Sequence, residues 1–243
     1  MNKPKVHVLY SPGTNCHHET AEAFRLAGAN PVLCHLSADL LAGRVQLHEC
    51  DIIALPGGFS FGDHLAAGRI FAIDMIHRIQ DQLLEVKSKK IPVIGICNGF
   101  QILIQTGLLP GTGSIGSPNA VLDRNLSAKF ENRWIEMHTL KTTCIWTNGL
   151  AGQTLRMPVA HAEGRLRLPA DFDDTNTVFR YGSAEGTMNY PENPNGSPGG
   201  RAGIMDPTGT ILGLMPHPER AVYAWLGSED GLKIFQCGVE AVL

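Results

Sequence analysis

Short apolar segments alternate with helical segments through the first half of the chain, and this alternation restricts the possible folds more than any other feature. The strand-like segments are 5–10, 31–36, 51–56 and 91–96, and the helical patterns are 16–27, 63–87 and 98–107. Short, fully apolar strands separated by helices are typical of a parallel sheet that is covered on both faces. We therefore expect an α/β protein with a mostly parallel central sheet flanked by helices on both faces.

The second half of the chain is less regular but gives no sign of a domain boundary. Its strand candidates are 130–139, 142–147, 156–160, 177–181, 201–206 and 210–215, and a last helix is expected over 229–242. The segments 110–118 and 189–200 are rich in Gly, Pro, Asn and Ser, so we expect exposed loops there. With 243 residues, 43% of them hydrophobic, we expect a single domain over 1–243.

Charge and composition exclude several classes of partner. A net charge of −3 provides no basic surface for nucleic acid, and no apolar run reaches the roughly 20 residues of a membrane span. The N-terminus lacks the pattern of a secretory signal, and the six cysteines show no paired spacing. We expect a cytoplasmic protein with free thiols, five of which fill the core.

The sixth cysteine, Cys97, is a candidate nucleophile. It lies in Gly95-Ile96-Cys97-Asn98-Gly99, between an apolar strand and a helical pattern. This is the thiol form of the nucleophile elbow, in which the glycines permit a sharp turn that presents the nucleophile above the sheet. The free N–H groups at the start of the following helix favour thiolate over thiol.

Two His-x-Glu segments compete to supply the base. His217 and Glu219 follow the apolar strand 210–215 and lie two residues apart, so they can point to the same sheet edge. A carboxylate beside an imidazole fixes its tautomer and stabilises its charged form. His161 and Glu163 also follow a short apolar strand. Spacing alone leaves both pairs open.

A glycine pair follows the strand 51–56. Gly57 and Gly58 allow the backbone to approach a ligand closely, and an N–H there can join that of Asn98 as a donor pair for an oxyanion. A plain turn explains the same residues equally well.

Three other motifs carry little weight. The Gly-x-Gly-x-x-Gly match at 111–116 follows a helix and a proline rather than a strand, which argues against a dinucleotide site. The Cys-His-His-Glu run at 16–19 splays around a helix, so we expect a polar helix start and no metal. No Walker A motif is present, so we expect no cofactor on this chain.

Taken together, the elbow, the later His-x-Glu and the glycine turn resemble class I glutamine amidotransferases. Five segments, "LPGGFSFGD", "GICNGFQILIQTGLLPG", "RNLSAKFENRW", "PVAHAEGR" and "GLMPHPERAV", are similar to members that are glutaminase subunits of phosphoribosylformylglycinamidine synthase, an enzyme of purine biosynthesis. The likeness extends over nearly the whole chain. It implies a flavodoxin-like fold and the release of ammonia from L-glutamine through a cysteinyl thioester.

The resemblance assigns roles to individual residues. Cys97 matches the nucleophile, His217 the general base and acid, and Glu219 the residue that orients the histidine. The backbone N–H groups of Gly58 and Asn98 match the oxyanion donors. Three further residues match positions around bound glutamine, namely Gln101, His161 and Glu163. By this assignment the later His-x-Glu is catalytic and the earlier one lines the pocket.

The resemblance also implies partners. A large synthetase subunit, with ATP and magnesium, would use the ammonia, and a third small subunit joins in some organisms. The chain departs from its relatives at Ala66, where an arginine is usual, at Phe61, where tyrosine is usual, and in a longer 110–118 segment. The alternatives are an amidotransferase serving another synthetase, a free-standing thiol amidase, and a non-catalytic scaffold of the same fold.

Overall fold

The computed structural model describes residues 3–243. Within that range the chain forms eleven strands and four α-helices, in the order β1 Lys5–Tyr10, α1 His17–Leu26, β2 Asn30–His35, β3 Ile52–Leu55, α2 Arg69–Lys89, β4 Val93–Ile96, α3 Asn98–Thr106, β5 Val121–Asp123, β6 Glu131–Thr139, β7 Thr154–His161, β8 Arg165–Arg167, β9 Thr177–Tyr181, β10 Arg201–Met205, β11 Ile211–Leu214 and α4 Asp230–Glu240. None of these helices is long and apolar enough to cross a bilayer.

Nine strands form one sheet in the order β2-β1-β3-β4-β11-β10-β9-β6-β7. The five strands from β2 to β11 pair in parallel, as predicted for the first half of the chain. From β11 to β7 every pairing is antiparallel, so the sheet is mixed. The fully buried β3, β4 and β11 form the centre of the sheet.

The helices cover both faces of the parallel half. From β1 the chain crosses through α1 to β2 on one side, whereas from β3 it crosses through α2 to β4 on the other. Right-handed crossovers in opposite directions place the two helices on opposite faces. On one face α1 packs against α4, with the rings of Phe24 and Phe235 4.9 Å apart. On the other, α2 packs against α3.

Three sequence predictions about secondary structure were wrong. Helix α2 begins at Arg69 rather than near residue 63, because Phe61, Gly62 and Asp63 have positive φ angles that interrupt a helix. The segment predicted as a strand at 142–147 contains a 3₁₀ turn at Ile145–Thr147 instead. Strands β5 and β8 were missed, and they form a separate two-stranded sheet.

The loop 189–200 is only partly exposed, contrary to expectation. Residues 193–197 are buried because their polar side chains bond to one another and to the backbone. Asn195 Nδ2 donates to the hydroxyl of Tyr181 at 3.1 Å, and Ser197 Oγ donates to Asn195 Oδ1 at 2.7 Å. Segment 110–118 is mostly exposed as predicted, with Pro110 and Ile115 buried and Gly111 and Gly113 half-buried.

Candidate active site

Cys97 stands on a strained turn at the carboxyl end of β4. Its φ of 50° and ψ of −104° are unusual for a residue other than glycine, and such strain is typical of functional sites. The two flanking glycines permit the turn. A Cβ on Gly95 would lie 2.5 Å from the Leu103 side chain, and one on Gly99 would overlap the carbonyl oxygen of Leu55. The geometry is that of the predicted elbow.

His217 reaches the same sheet edge because β11 pairs in parallel with β4. The N–H of Cys97 donates to Leu214 O at 2.8 Å, and the N–H of His217 is held by Pro158 O at 2.8 Å. His217 Nδ1 lies 2.6 Å from Glu219 Oε1, and both side chains are buried. The sequence-predicted pair is therefore formed, with Nε2 of the imidazole left without a partner among residues 3–243.

The charge balance around His217 favours the imidazolium. Burial works against a charge on the ring, but the Glu219 carboxylate and the nearby thiols of Cys97 and Cys16 hold the pKa of His217 well above its ordinary value. A protonated ring beside a thiol is the arrangement that stabilises a thiolate.

The predicted oxyanion donors lie in two segments, Gly58 in the turn after β3 and Asn98 at the start of α3. The Gly57 carbonyl accepts a hydrogen bond from Cys16 N at 3.2 Å. Since C=O and N–H of a trans peptide point in opposite directions, this bond turns the Gly58 N–H away from Cys16. The Asn98 N–H is one of the free donors at the start of α3. Ser60 N donates to Asn98 Oδ1 at 3.2 Å and ties the two segments together.

Gln101 and Glu163 also come together. Gln101 Nε2 donates to Glu163 O at 2.6 Å, and Gln101 Oε1 accepts from Asn98 Nδ2 at 3.0 Å. Both residues line a cavity of about 240 Å³, which also contacts the side chains of Arg69 and Arg124. Ala66 lines the same cavity.

His161 does not pair with Glu163. Its Nδ1 lies 3.1 Å from Asn125 Oδ1, which also accepts the Gly164 N–H, so the His161 ring is the donor in this contact. Burial lowers the pKa of His161 to about 3, with the nearby His217 charge adding to the effect. A histidine whose pKa lies this low binds a proton poorly and is a weak base, which is consistent with the role assigned to His217.

Sequence reasoning missed three residues of the site. Cys16, expected to fill the core, has its sulfur within 4.8 Å of a His217 ring nitrogen and a Glu219 oxygen. Asp63 Oδ1 accepts from Asn98 Nδ2 at 3.1 Å, and Arg220 Nη2 donates to the sulfur of Cys16 at 3.1 Å. The position of Cys16 just after the turn that follows β1, at the same edge as Cys97, was the available signal.

Comparison with known proteins gives the family. A sequence model described as "CobB/CobQ-like glutamine amidotransferase domain" matches residues 3–238. The chain belongs to this glutamine amidotransferase family. One curated relative is the phosphoribosylformylglycinamidine synthase subunit PurQ of Dehalococcoides mccartyi, 41% identical over 99% of this amidotransferase chain and 98% of the relative. The subunit of the same name from Pyrococcus furiosus is 39% identical over 98% of each chain.

Solved structures agree with this assignment. The amidotransferase chain superposes on a chain of the PurLQS structure from Thermotoga maritima with a TM-score of 0.81, at 33% identity, covering 99% of this chain and 100% of that one. A glutamine amidotransferase from Thermotoga maritima has a TM-score of 0.63 at 16% identity, covering 100% and 99%, and shows a common fold. The predicted fold class is confirmed.

Proposed function

We propose that this chain is the glutaminase subunit of phosphoribosylformylglycinamidine synthase, an enzyme of purine biosynthesis. It hydrolyses the side-chain amide of L-glutamine to glutamate and ammonia, and the ammonia passes to a large synthetase subunit. The observation that carries the proposal is the buried His217–Glu219 pair beside the strained Cys97, in an amidotransferase chain that aligns over its full length with PurQ subunits.

In the first half-reaction the Cys97 thiolate attacks the amide carbon of glutamine. The negative charge that develops on the amide oxygen is stabilised by the N–H groups of Gly58 and Asn98. His217 then gives its proton to the departing nitrogen, the C–N bond breaks, and ammonia leaves a glutamyl thioester on Cys97.

In the second half-reaction the now neutral His217 takes a proton from water, and the resulting hydroxide attacks the thioester. Glutamate leaves, and the sulfur returns to the thiolate beside the imidazolium. Glu219 holds the ring in the tautomer that both steps require, because its carboxylate accepts the hydrogen bond from Nδ1. Gln101, His161 and Glu163 shape the glutamine pocket.

The ammonia must reach the synthetase unprotonated, so the two subunits act as a complex in the cytoplasm. The large subunit binds ATP and magnesium and converts formylglycinamide ribonucleotide to the amidine, and a third small subunit completes the assembly. The sequence of this chain supports that division, because it has no Walker A motif.

The decisive experiment replaces Cys97 by alanine and assays the reconstituted complex with two nitrogen donors. Glutamine-dependent synthesis is lost, whereas synthesis with added ammonium persists because the synthetase active site is intact. If both activities fall together in a complex that still assembles, the proposed division of labour is wrong.

A second measurement separates the proposal from a free-standing amidase. Glutamine hydrolysis by the wild-type chain is weak alone and rises when the synthetase is added. Full hydrolysis without any partner would favour the free-standing amidase.

A further inference from the structure

Cys16 touches both halves of the proposed catalytic site. It precedes α1, is 1% exposed, and its N–H holds the Gly57 carbonyl. Its sulfur lies beside the His217–Glu219 pair, with the three donor atoms within 4.8 Å of one another. Replacing the side chain leaves the backbone contact to the oxyanion turn available, so the two contributions can be separated.

Both hydrogen-bonding functions of the thiol are occupied. The S–H donates to Asn15 Oδ1 at 3.2 Å, and the sulfur accepts from Arg220 Nη2 at 3.1 Å. Burial raises the pKa of Cys16, so the group stays a neutral thiol rather than a second nucleophile. This contact argues against a metal site formed by Cys16, His217 and Glu219, because the sulfur that would have to bind the metal already accepts a hydrogen bond from the Arg220 guanidinium.

Arg220 directly follows Glu219 in the chain but is not paired with it. Its guanidinium contacts the sulfur of Cys16 and lies 3.9 Å from Glu19. Within the described range, residues 3–243, no ion pair joins Arg220 to Glu219, although Glu219 Oε2 is buried and has no hydrogen-bond partner there. The Arg220 guanidinium and the Glu219 carboxylate thus both lie near the sulfur of Cys16 but form no ion pair with each other.

We propose that Cys16 is a positioning residue for the base: its sulfur holds the Arg220 guanidinium and keeps it off Glu219. The Glu219 carboxylate then keeps its hydrogen bond to His217. This inference rests on the proposed function, because it assigns Cys16 a role through the histidine of that reaction.

Loss of the sulfur would change the electrostatics of the pair. An arginine that reaches Glu219 forms a charge-assisted, bidentate contact, which competes with the single bond from Nδ1. The guanidinium would also lie closer to the ring, and a nearby positive charge disfavours the imidazolium. The charged and titratable groups around the His217 ring are Glu219, Cys97, Cys16, Arg220 and His161. Removing the Cys16 side chain removes the thiol's own effect on the ring and releases one charged group, Arg220. The direct effect of the lost thiol remains when Arg220 is also replaced, so the double variant separates the two.

The test measures the pH dependence of kcat/KM for glutamine hydrolysis by the reconstituted complex. The alkaline limb of this profile reports loss of the His217 proton that the leaving ammonia requires. Cys16→Ala and Cys16→Val both remove the acceptor, and Val also fills the space. In both variants the limb moves to lower pH by on the order of one pH unit, the size of shift that a nearby charge produces.

Two further variants make the result specific. Cys16→Ser keeps an acceptor for Arg220, so its limb stays at the wild-type pH. Adding Arg220→Gln to Cys16→Ala removes the displaced charge and returns the limb toward that value. Cys144→Ala removes another buried thiol outside the site and serves as the control for lost packing.

The inference is overturned if the pH of the alkaline limb depends on the volume of the side chain at residue 16, so that Cys16→Val behaves like wild type and Cys16→Ser like Cys16→Ala. It is also overturned if adding Arg220→Gln to Cys16→Ala fails to reverse the shift. An unshifted limb in the Ala and Val variants also overturns it. Failure of the proposed function is distinguishable, because the wild-type chain would then show either no glutamine hydrolysis or hydrolysis that the synthetase does not stimulate.

Discussion

His217 Nδ1 lies 2.6 Å from Glu219 Oε1, and neither side chain is open to solvent. A hydrogen bond this short, shielded from water, fixes both the orientation and the tautomer of the imidazole. In the proposed reaction the Nδ1 proton therefore stays in place, and the opposite nitrogen, Nε2, is the one that gives up and takes up a proton.

Glu219→Gln should lower kcat for glutamine hydrolysis by about 10- to 10⁴-fold with little change in KM, because an amide in place of the carboxylate cannot stabilise the imidazolium. The side chains have nearly the same volume, so the thermal midpoint should change little. Steady-state kinetics of the complex measures both constants. The matched variant Glu163→Gln should act mainly on KM, and a kcat loss confined to that variant would move the orienting role to Glu163.

Gly57 gives the imidazole the space it occupies. A Cβ at this residue would lie 2.7 Å from Cε1 of His217 and 3.3 Å from the sulfur of Cys16. Gly57→Ala should displace the ring and reduce kcat/KM by about 100-fold, since misplacing a catalytic group by 1 Å can cost that much. Gly113→Ala, in a surface loop where the nearest atom to an added Cβ is Ser117 O at 3.3 Å, is the control for an added methyl group. Equal activities in the two variants would contradict the prediction.

The parallel half of the fold and the core of the site were predictable from sequence for one physical reason. The strands β1, β3, β4 and β11 are apolar because helices cover both of their faces, so each is visible as a short run that ends where functional residues begin. Cys97 and His217 follow two of these strands, and parallel pairing brings their ends together.

The remaining features depend on packing that local patterns do not record. Strands β5 and β8 have three residues each, too few to show a period. Cys16 reaches the base only because the start of α1 lies against the segment after β11. Arg220 Nη2, in that segment, is 3.1 Å from the sulfur of Cys16. The position of Cys16 after β1 places it at this sheet edge, but no pattern within either segment indicates the contact with Arg220, so the thiol was taken for core.

The Asn98 side chain ties α3 to the segment Ser60–Asp63, so its amide group should matter as well as its backbone N–H. Nδ2 donates to Asp63 Oδ1 at 3.1 Å, and Oδ1 accepts from Ser60 N. Asn98→Asp would place a second carboxylate against Asp63, and like charges this close repel. We expect kcat/KM to fall by up to about 10²-fold, the lower end of the cost of losing an oxyanion donor.

Charge exchange provides the control for this prediction. Asp63→Asn combined with Asn98→Asp restores one amide facing one carboxylate, so the double variant should regain part of the lost activity. Kinetic assays of the two single variants and the double variant form a cycle. Strict additivity of the two losses would show that the side chains act independently, contrary to the contact seen here.

Stability should fall as the pH is lowered, and His7 should account for part of that fall. His7 is fully buried in β1, and neither ring nitrogen has a hydrogen-bond partner among residues 3–243. Burial lowers its pKa from 6.5 to about 4, with Lys5 adding to the effect. Between these pH values the unfolded chain binds a proton that the folded chain does not, so the free energy of unfolding decreases as the pH falls through this window.

His7→Leu removes the group that binds this proton in the unfolded chain. The variant's free energy of unfolding should therefore depend less steeply on pH between 6.5 and 4, by up to about 1.4 kcal/mol per pH unit. Buried His161, whose pKa lies at about 3, keeps part of the slope in both proteins. Urea unfolding at several pH values gives the two slopes, and His77→Leu, on the exposed side of α2, is the matched control. Parallel curves for wild type and His7→Leu would show that His7 titrates alike in the folded and unfolded chains.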